Sequence, residues 1–106
     1  MWTVETLGEI VDREIEALPN DMRARLVRFS MLIEHHGLPA LPANAVKHLE
    51  GKLWELRMMG RDGIARAIYV TATGKRVVIV RAFVKKTQKT PGHELELARQ
   101  RAKEVL

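Results

Sequence analysis

The chain has 106 residues with a net charge of +5 and contains no cysteine. This length suits one domain with its own core, and the missing cysteines exclude disulfide bonds and thiolate metal sites. The N-terminus lacks the basic start and apolar stretch of a signal peptide, and no apolar run reaches the ~18 residues of a membrane span. We therefore predict a single domain over residues 1–106, located in the cytoplasm.

The positive charge is concentrated in the second half of the chain. Residues 1–46 carry four basic and seven acidic side chains, whereas residues 47–106 carry fourteen basic and six acidic ones. An electropositive half attracts polyanions such as nucleic acids. Charge alone leaves open the alternative of a basic protein with no such partner.

The first half predicts a short strand followed by two amphipathic helices. Residues 2–6 alternate weakly, as a strand does. Apolar residues at helical spacing then mark one face of a first helix: Leu7, Ile10, Val11, Ile15 and Leu18. Pro19 ends this helix, Asn20 is expected to cap the next one, and Gly37 is expected to terminate it. The second helix has its own apolar face: Met22, Leu26, Phe29 and Ile33. Adjacent helices of this kind predict a helical hairpin.

The second half predicts three antiparallel strands and a closing helix. After an extended connector at 38–43 and one helical turn at 45–49, strands are expected at 53–59, 64–71 and 76–84, with turns at 60–63 and 73–75. The strand at 76–84 is the most apolar, so we place it centrally. Thr90 is expected to cap the last helix, which buries Leu95, Ala98, Ala102 and Val105 and leaves Arg101 outside. The predicted class is α+β, with helices on one face of a small, mostly antiparallel sheet and a basic, partly open opposite face.

The loop that follows the last predicted strand, residues 85–90, is the most informative motif, and we call it the lysine loop. Lys85, Lys86 and Lys89 lie within five residues, together with the hydroxyl groups of Thr87 and Thr90. Ammonium groups this close repel one another, so a solvated turn gains nothing from them. The motif predicts an edge that binds the phosphates of RNA.

Three arginines lie on the three predicted strands, one on each. If the strands pair in order, Arg57, Arg66 and Arg81 gather on one sheet face or at one rim. The face itself is not predictable, because a slip of one residue moves a side chain to the other side. The planar guanidinium group suits phosphate. The structural alternative is that Arg81 or Arg57 pairs with Glu55.

Tyr69 and the histidines have both structural and functional interpretations. Tyr69 either stacks on a base or lies in the core with its hydroxyl at the rim. His93, in the first turn of the last helix, is a candidate proton carrier, whereas His35 and His36 suit the negative end of a helix dipole. Histidines and carboxylates show no metal-ligand spacing, and we predict neither a metal site nor a cofactor.

Four stretches carry a resemblance to a known family. They are Leu-Glu-Gly-Lys-Leu-Trp-Glu-Leu-Arg at 49–57, Arg-Ala-Ile-Tyr at 66–69, Ala-Phe-Val-Lys-Lys-Thr-Gln-Lys-Thr-Pro at 82–91, and Glu94 with Ala98 and Arg101. With them the chain resembles the phage-derived HigB-like branch of the RelE/ParE toxin superfamily over nearly its whole length. The resemblance implies a RelE-like fold and the toxin of a type II toxin–antitoxin pair. It also implies a ribosome-dependent mRNA endoribonuclease that uses no metal, with a helix-turn-helix antitoxin of the HigA/Xre kind, the ribosome and mRNA as partners.

The implied reaction is attack of a ribose 2′-hydroxyl on the adjacent phosphate. In this scheme Lys85 or Lys86 handles the proton, Arg57 and Arg66 neutralise phosphate charge, and Tyr69 positions a base. Further RNA contacts are expected from Arg61, Arg81, Thr87, Lys89, Thr90 and His93. The superfamily also contains gyrase inhibitors, and fold does not fix function. A ParE-like gyrase inhibitor and a non-catalytic phage-derived RNA-binding module are therefore the alternatives.

Overall fold

The computed structural model describes residues 1–85 and 90–106, so the predicted catalytic residue Lys86 and the predicted RNA contacts Thr87 and Lys89 lie outside the described residues. The elements are β1 (Thr3–Thr6), α1 (Glu9–Glu16), α2 (Asn20–His36), β2 (Val46–Glu50), β3 (Leu53–Gly60), β4 (Gly63–Ala72), β5 (Arg76–Lys85) and α3 (Gly92–Ala102). Two 3₁₀ turns, Leu38–Ala40 and Ala43–Ala45, join α2 to β2. None of the described helices is long and apolar enough to cross a membrane.

The five strands form one mixed sheet in the order β1-β5-β4-β3-β2. β1 runs parallel to β5, and the other neighbours are antiparallel. The predicted α+β class and the three-stranded meander are therefore confirmed. The middle strand is β4 rather than β5, because β5 and β1 lie on one side of β4 and β3 and β2 lie on the other.

Two local predictions are wrong. Residues 45–49 were expected to form a helical turn, but most of them belong to β2, where pairing with β3 determines the conformation. Asn20 is the first residue of α2 rather than its cap, and its side-chain oxygen accepts a hydrogen bond from Arg23. Strand pairing overrides the first local signal, and a side-chain contact within α2 takes the place of the cap in the second.

Helices cover both faces of the sheet, which corrects the expectation of a one-sided layer. One core lies between the sheet and the first two helices and contains the predicted α2 face. The second core lies against α3 and contains Leu53, Ile68, Val70, Val78, Val80, Phe83, Ala98 and Ala102. We call the side that packs on α3 the α3 face; it carries the polar residues described in the next section.

Two helix side chains bind the backbone of β5 beyond the end of β1. The Ala82 amide donates to Glu14 Oε1 at 3.1 Å, and Arg101 Nη1 donates to the Val80 carbonyl at 2.8 Å. Arg101 is thus partly buried, contrary to its predicted outward position. Side chains from α1 and α3 satisfy backbone groups that an edge strand otherwise leaves to solvent or to a foreign strand.

Gly60 lies where β3 meets the start of α2. A Cβ atom there would sit 2.7 Å from both Asp21 Oδ2 and Met22 Cγ, and Met22 is fully buried. We expect Gly60→Ala to lower the free energy of unfolding by about 1–3 kcal/mol, as overpacking does. Urea denaturation measures this. Gly92→Ala is the control, because a Cβ atom there meets nothing within 4 Å; equal stability losses in the two variants would contradict the contact.

Candidate active site

Strand register brings three of the predicted catalytic residues onto the α3 face. Arg57 lies directly opposite Arg66, and Arg66 lies opposite Phe83. Opposite residues on paired strands project to the same side of a sheet. Lys85 follows Phe83 by two residues and therefore shares that side.

A β-bulge places Lys85 there. The pairing of β4 with β5 shifts between Ile68 and Tyr69, so that Ile68 pairs with Arg81 while Tyr69 pairs with Ile79. Before the bulge, odd-numbered residues of β5 such as Ile79 belong to the core under α1 and α2; after it, Phe83 belongs to the core under α3. Uninterrupted alternation would have sent Lys85 to the opposite face.

Glu55 is the centre of the cluster. Its side chain is fully buried, and its carboxylate accepts a hydrogen bond from Arg66 Nη1. Arg57 Nε lies 3.5 Å from the same oxygen, and the Thr90 hydroxyl donates to Glu55 Oε2 at 2.8 Å. The prediction that Thr90 caps α3 is therefore wrong. Its hydroxyl binds Glu55 and so connects the end of the lysine loop to the sheet.

Lys85 is only 6% exposed, and the pKa of its side chain is lowered. Removal from water lowers the pKa of Lys85 from 10.5 to about 8, and the nearby Arg66 charge also lowers this pKa. The Glu55 carboxylate has the opposite, smaller effect and raises it. Lys47 and Arg57 contribute further positive charge. With a pKa of about 8, roughly a tenth of the molecules carry a neutral amine at pH 7, which suits a proton acceptor.

The cluster has an excess of positive charge. Lys47 on β2 pairs with Glu55 on β3, so it also faces this side. Lys47, Arg57, Arg66 and Lys85 surround one carboxylate, Glu55. Guanidinium and ammonium groups grouped in this way bind phosphate oxygens through charge-assisted hydrogen bonds.

Arg81 belongs to a separate ion-pair network. Its Nε and Nη2 atoms donate to the two Glu94 oxygens at 2.6 and 3.0 Å, and its Nη1 lies 2.9 Å from Glu14 Oε2. The hydrogen bonds with Glu94 raise the pKa of Arg81. The alternative pairing of Arg81 with Glu55 is therefore wrong. All three of its nitrogens bind carboxylates, so the arrangement is that of a structural link between β5, α1 and α3.

Tyr69 points to the opposite side of the sheet from the cluster. It is buried in the core under α1 and α2, and burial raises the pKa of its hydroxyl to about 12. It borders a cavity of about 560 Å³ that Trp2 and Trp54 also line. Of the two interpretations of Tyr69, base stacking and a core position, the structure shows the core position. Tyr69 therefore does not lie with Arg57 and Arg66.

The remaining described candidates lie on the surface. Arg61 is exposed in the turn between β3 and β4, where its backbone amide donates to Asp21 Oδ2 at 2.6 Å. This turn is at the end of the sheet that also holds Lys85, because Ile64 pairs with Lys85. His93 is exposed, with Nε2 3.6 Å from Glu94 Oε2. Neither residue contacts Glu55.

A protein family matches this chain over residues 13–103: the family described as phage derived protein Gp49-like. The chain belongs to the Gp49-like family.

Known relatives of this Gp49-like chain agree with the predicted HigB-like branch. It is 30% identical over 94 residues to the protein named "Probable endoribonuclease HigB1" in two strains of Mycobacterium tuberculosis, CDC 1551 / Oshkosh and H37Rv. The match covers 89% of this chain and 72% of the relative. Among solved structures, it resembles a chain of the archaeal RelE–RelB complex from Pyrococcus horikoshii OT3, with a TM-score of 0.62, 21% identity, and coverage of 80% of this chain and 96% of that one. The predicted family is confirmed, and the resemblance to the chain of the RelE–RelB complex shows the fold.

Two residues of the cluster, Glu55 and Lys47, were not predicted as site residues. The sequence indicated Glu55 only as an ion-pair partner of Arg81 or Arg57, and it gave no indication for Lys47. One signal was available for Glu55: it stands two residues before Arg57 in an alternating strand, where both share a face. Lys47 had no such signal, because its segment was expected to be helical.

The lowered pKa of Lys85 predicts how stability depends on pH. In the unfolded chain this lysine titrates near 10.5, and in the folded protein near 8. Between these values the unfolded state binds more protons, so this group makes stability rise with pH. We expect the unfolding free energy of the wild type, minus that of Lys85→Met, to increase from pH 8 to pH 10.5. Urea denaturation across that range measures it, and a constant difference would contradict the lowered pKa.

Proposed function

We propose that this Gp49-like protein is the toxin of a type II toxin–antitoxin pair and cuts messenger RNA at the ribosome. The observation that carries the proposal is the cationic cluster on the α3 face, with Arg57, Arg66 and Lys85 around the buried Glu55. The name of the Mycobacterium tuberculosis relatives, "Probable endoribonuclease HigB1", supports the same reaction class.

The chemistry requires a proton acceptor beside a phosphate. Neutral Lys85 takes the proton from the ribose 2′-hydroxyl, and the 2′-oxygen forms a bond to the adjacent phosphorus. The bond from phosphorus to the 5′-oxygen breaks, which leaves a 2′,3′-cyclic phosphate and a 5′-hydroxyl. Lys86, the neighbouring lysine in the sequence, is the candidate donor of the proton that the leaving oxygen takes up.

Arg57 and Arg66 have a different role in this scheme. Negative charge accumulates on the non-bridging oxygens as the phosphate becomes five-coordinate, and fixed guanidinium groups stabilise it. Glu55 holds Arg66 in place before the substrate arrives, so little reorganisation is needed during the reaction. Because side chains supply the positive charge, the proposed mechanism uses no metal ion.

The proposed partners follow from this activity. The ribosome presents the message, which places the reaction in the cytoplasm, and a cognate antitoxin of the helix-turn-helix kind restrains the toxin. The exposed Arg61 and His93, together with Lys89, Thr87 and Thr90 of the lysine loop, are proposed as RNA contacts around the cluster. Arg81 is withdrawn from that set because carboxylates occupy its guanidinium group.

A translation reaction tests the proposed function. Purified protein is added while ribosomes translate a defined message, and primer extension maps new 5′ ends. We expect ends at codon-spaced positions, with cyclic phosphate on the upstream fragments. An intact message, combined with inhibition of gyrase supercoiling in a parallel assay, would contradict the proposal and favour the gyrase inhibitor.

A further inference from the structure

Helix α2 carries a second apolar face that the fold leaves exposed. Its buried face is Met22, Leu26, Phe29 and Ile33. On the opposite side of the helix, Ala24, Val27 and Met31 recur at spacings of three and four residues, which align along a helix. Val27 is 55% exposed and Met31 is 54% exposed. We call Ala24, Val27, Arg28 and Met31 the α2 stripe.

The α2 stripe has positive charge along it. Arg28 lies within it and is exposed, and in the part of the chain that the structure describes it forms no ion pair. Arg25 is exposed beside the stripe, and His35 follows one turn after Met31. An apolar row bordered by cations is complementary to an amphipathic helix with acidic edges.

These properties separate the possible occupants. RNA offers phosphates but no continuous apolar strip, so it leaves Val27 and Met31 unburied. A second copy of this chain, packed stripe to stripe about a two-fold axis, brings like charges together, because each copy contributes Arg28 to the same interface. A partner with acidic residues satisfies both the apolar row and the cations.

We propose that the α2 stripe is the docking surface for an acidic amphipathic helix of the antitoxin. This inference rests on the proposed function, which supplies the antitoxin as the protein partner. The partner helix would place apolar side chains at i, i+3 or i+4, and i+7 against Val27 and Met31, with carboxylates facing Arg25 and Arg28.

A small cavity lies between Arg25, which borders the stripe, and Arg57 of the candidate active site. Arg25 and Phe29 of α2 and Arg57 of β3 line a cavity of about 80 Å³ at the edge of β3. A chain segment that follows the docked helix over Arg25 therefore reaches Arg57.

Isothermal titration calorimetry tests the docking surface. The probe is the purified antitoxin, which the proposed function expects to be encoded beside this gene, titrated into the full chain. We expect the double variant Val27→Glu, Met31→Glu to raise the Kd by about a hundredfold or more, because two buried apolar anchors are replaced by charges that repel the partner's carboxylates. Arg28→Glu is expected to raise the Kd by about tenfold and to weaken its dependence on salt.

Ile10→Glu is the matched control, because Ile10 is 61% exposed but lies on α1, outside the stripe. Its Kd should equal that of the wild type. An unchanged Kd in the double variant, no binding of the probe to the wild type, or dimers of the chain alone that dissociate in the double variant would each overturn the inference. Failure of the proposed function appears separately, as an intact message in the translation reaction.

Discussion

Replacement of Lys85 by methionine is expected to lower the rate of message cleavage by about 10²–10⁴-fold, the usual contribution of a proton-transfer group. Methionine keeps an unbranched side chain of similar length but cannot accept the proton from the 2′-hydroxyl. Because Lys85 is buried and carries a lowered pKa, its loss removes an unfavourable charge, and we expect the variant to fold. Cleavage rates come from primer extension over time, and circular dichroism verifies folding.

Lys52→Met is the control for this prediction, since Lys52 is exposed in the turn between β2 and β3. It should cleave at the wild-type rate. The wild-type rate itself should rise about tenfold per pH unit and level off near the Lys85 pKa of about 8, since only the neutral amine accepts a proton. Wild-type cleavage by folded Lys85→Met would remove Lys85 from the reaction.

Replacement of Glu55 by glutamine is expected to lower the free energy of unfolding by about 3–5 kcal/mol, the cost of breaking a buried ion pair from one side. The buried Arg66 would lose its negative partner, and Thr90 would lose the carboxylate oxygen that accepts its hydroxyl. Cleavage should fall as well, because Arg66 would no longer be held in one orientation. Urea denaturation measures the stability change.

Glu50→Gln is the matched control for Glu55→Gln. Glu50 forms an ion pair with Arg99 at 2.7 Å, but both side chains are more than 40% exposed. Exposed pairs contribute about 0–1 kcal/mol, so this variant should lose little stability. Similar losses in the two variants would show that the Glu55 carboxylate does not organise the site.

Much of the fold was predictable from local pattern. The α2 face at Met22, Leu26, Phe29 and Ile33 is buried as predicted, because one helix packs on one sheet and its periodicity reports that packing directly. The strands at β3, β4 and β5 were recognisable from alternation and from their turns. β2 was missed because its identity depends on pairing with β3, which no local window contains.

The site was less predictable than the fold. The family resemblance indicated Arg57, Arg66 and Lys85, and the structure brings these three together. The face that each residue of β5 occupies depends on the bulge opposite Ile68 and Tyr69, and alternation in Val77–Val78–Ile79–Val80 does not reveal it. Arg81 and Tyr69 lie apart from these three: Glu94 and Glu14 bind Arg81, and Tyr69 of β4 lies in the core under α1 and α2.

A structure of this protein bound to a ribosome with a 2′-O-methylated, uncleavable message is the most direct measurement. We predict that the scissile phosphate lies within hydrogen-bond distance of the Arg57 and Arg66 guanidinium groups, with the blocked 2′-oxygen next to Lys85 Nζ. A message whose phosphate lies elsewhere on the protein, with Arg66 and Lys85 more than a water molecule away from it, would contradict the account.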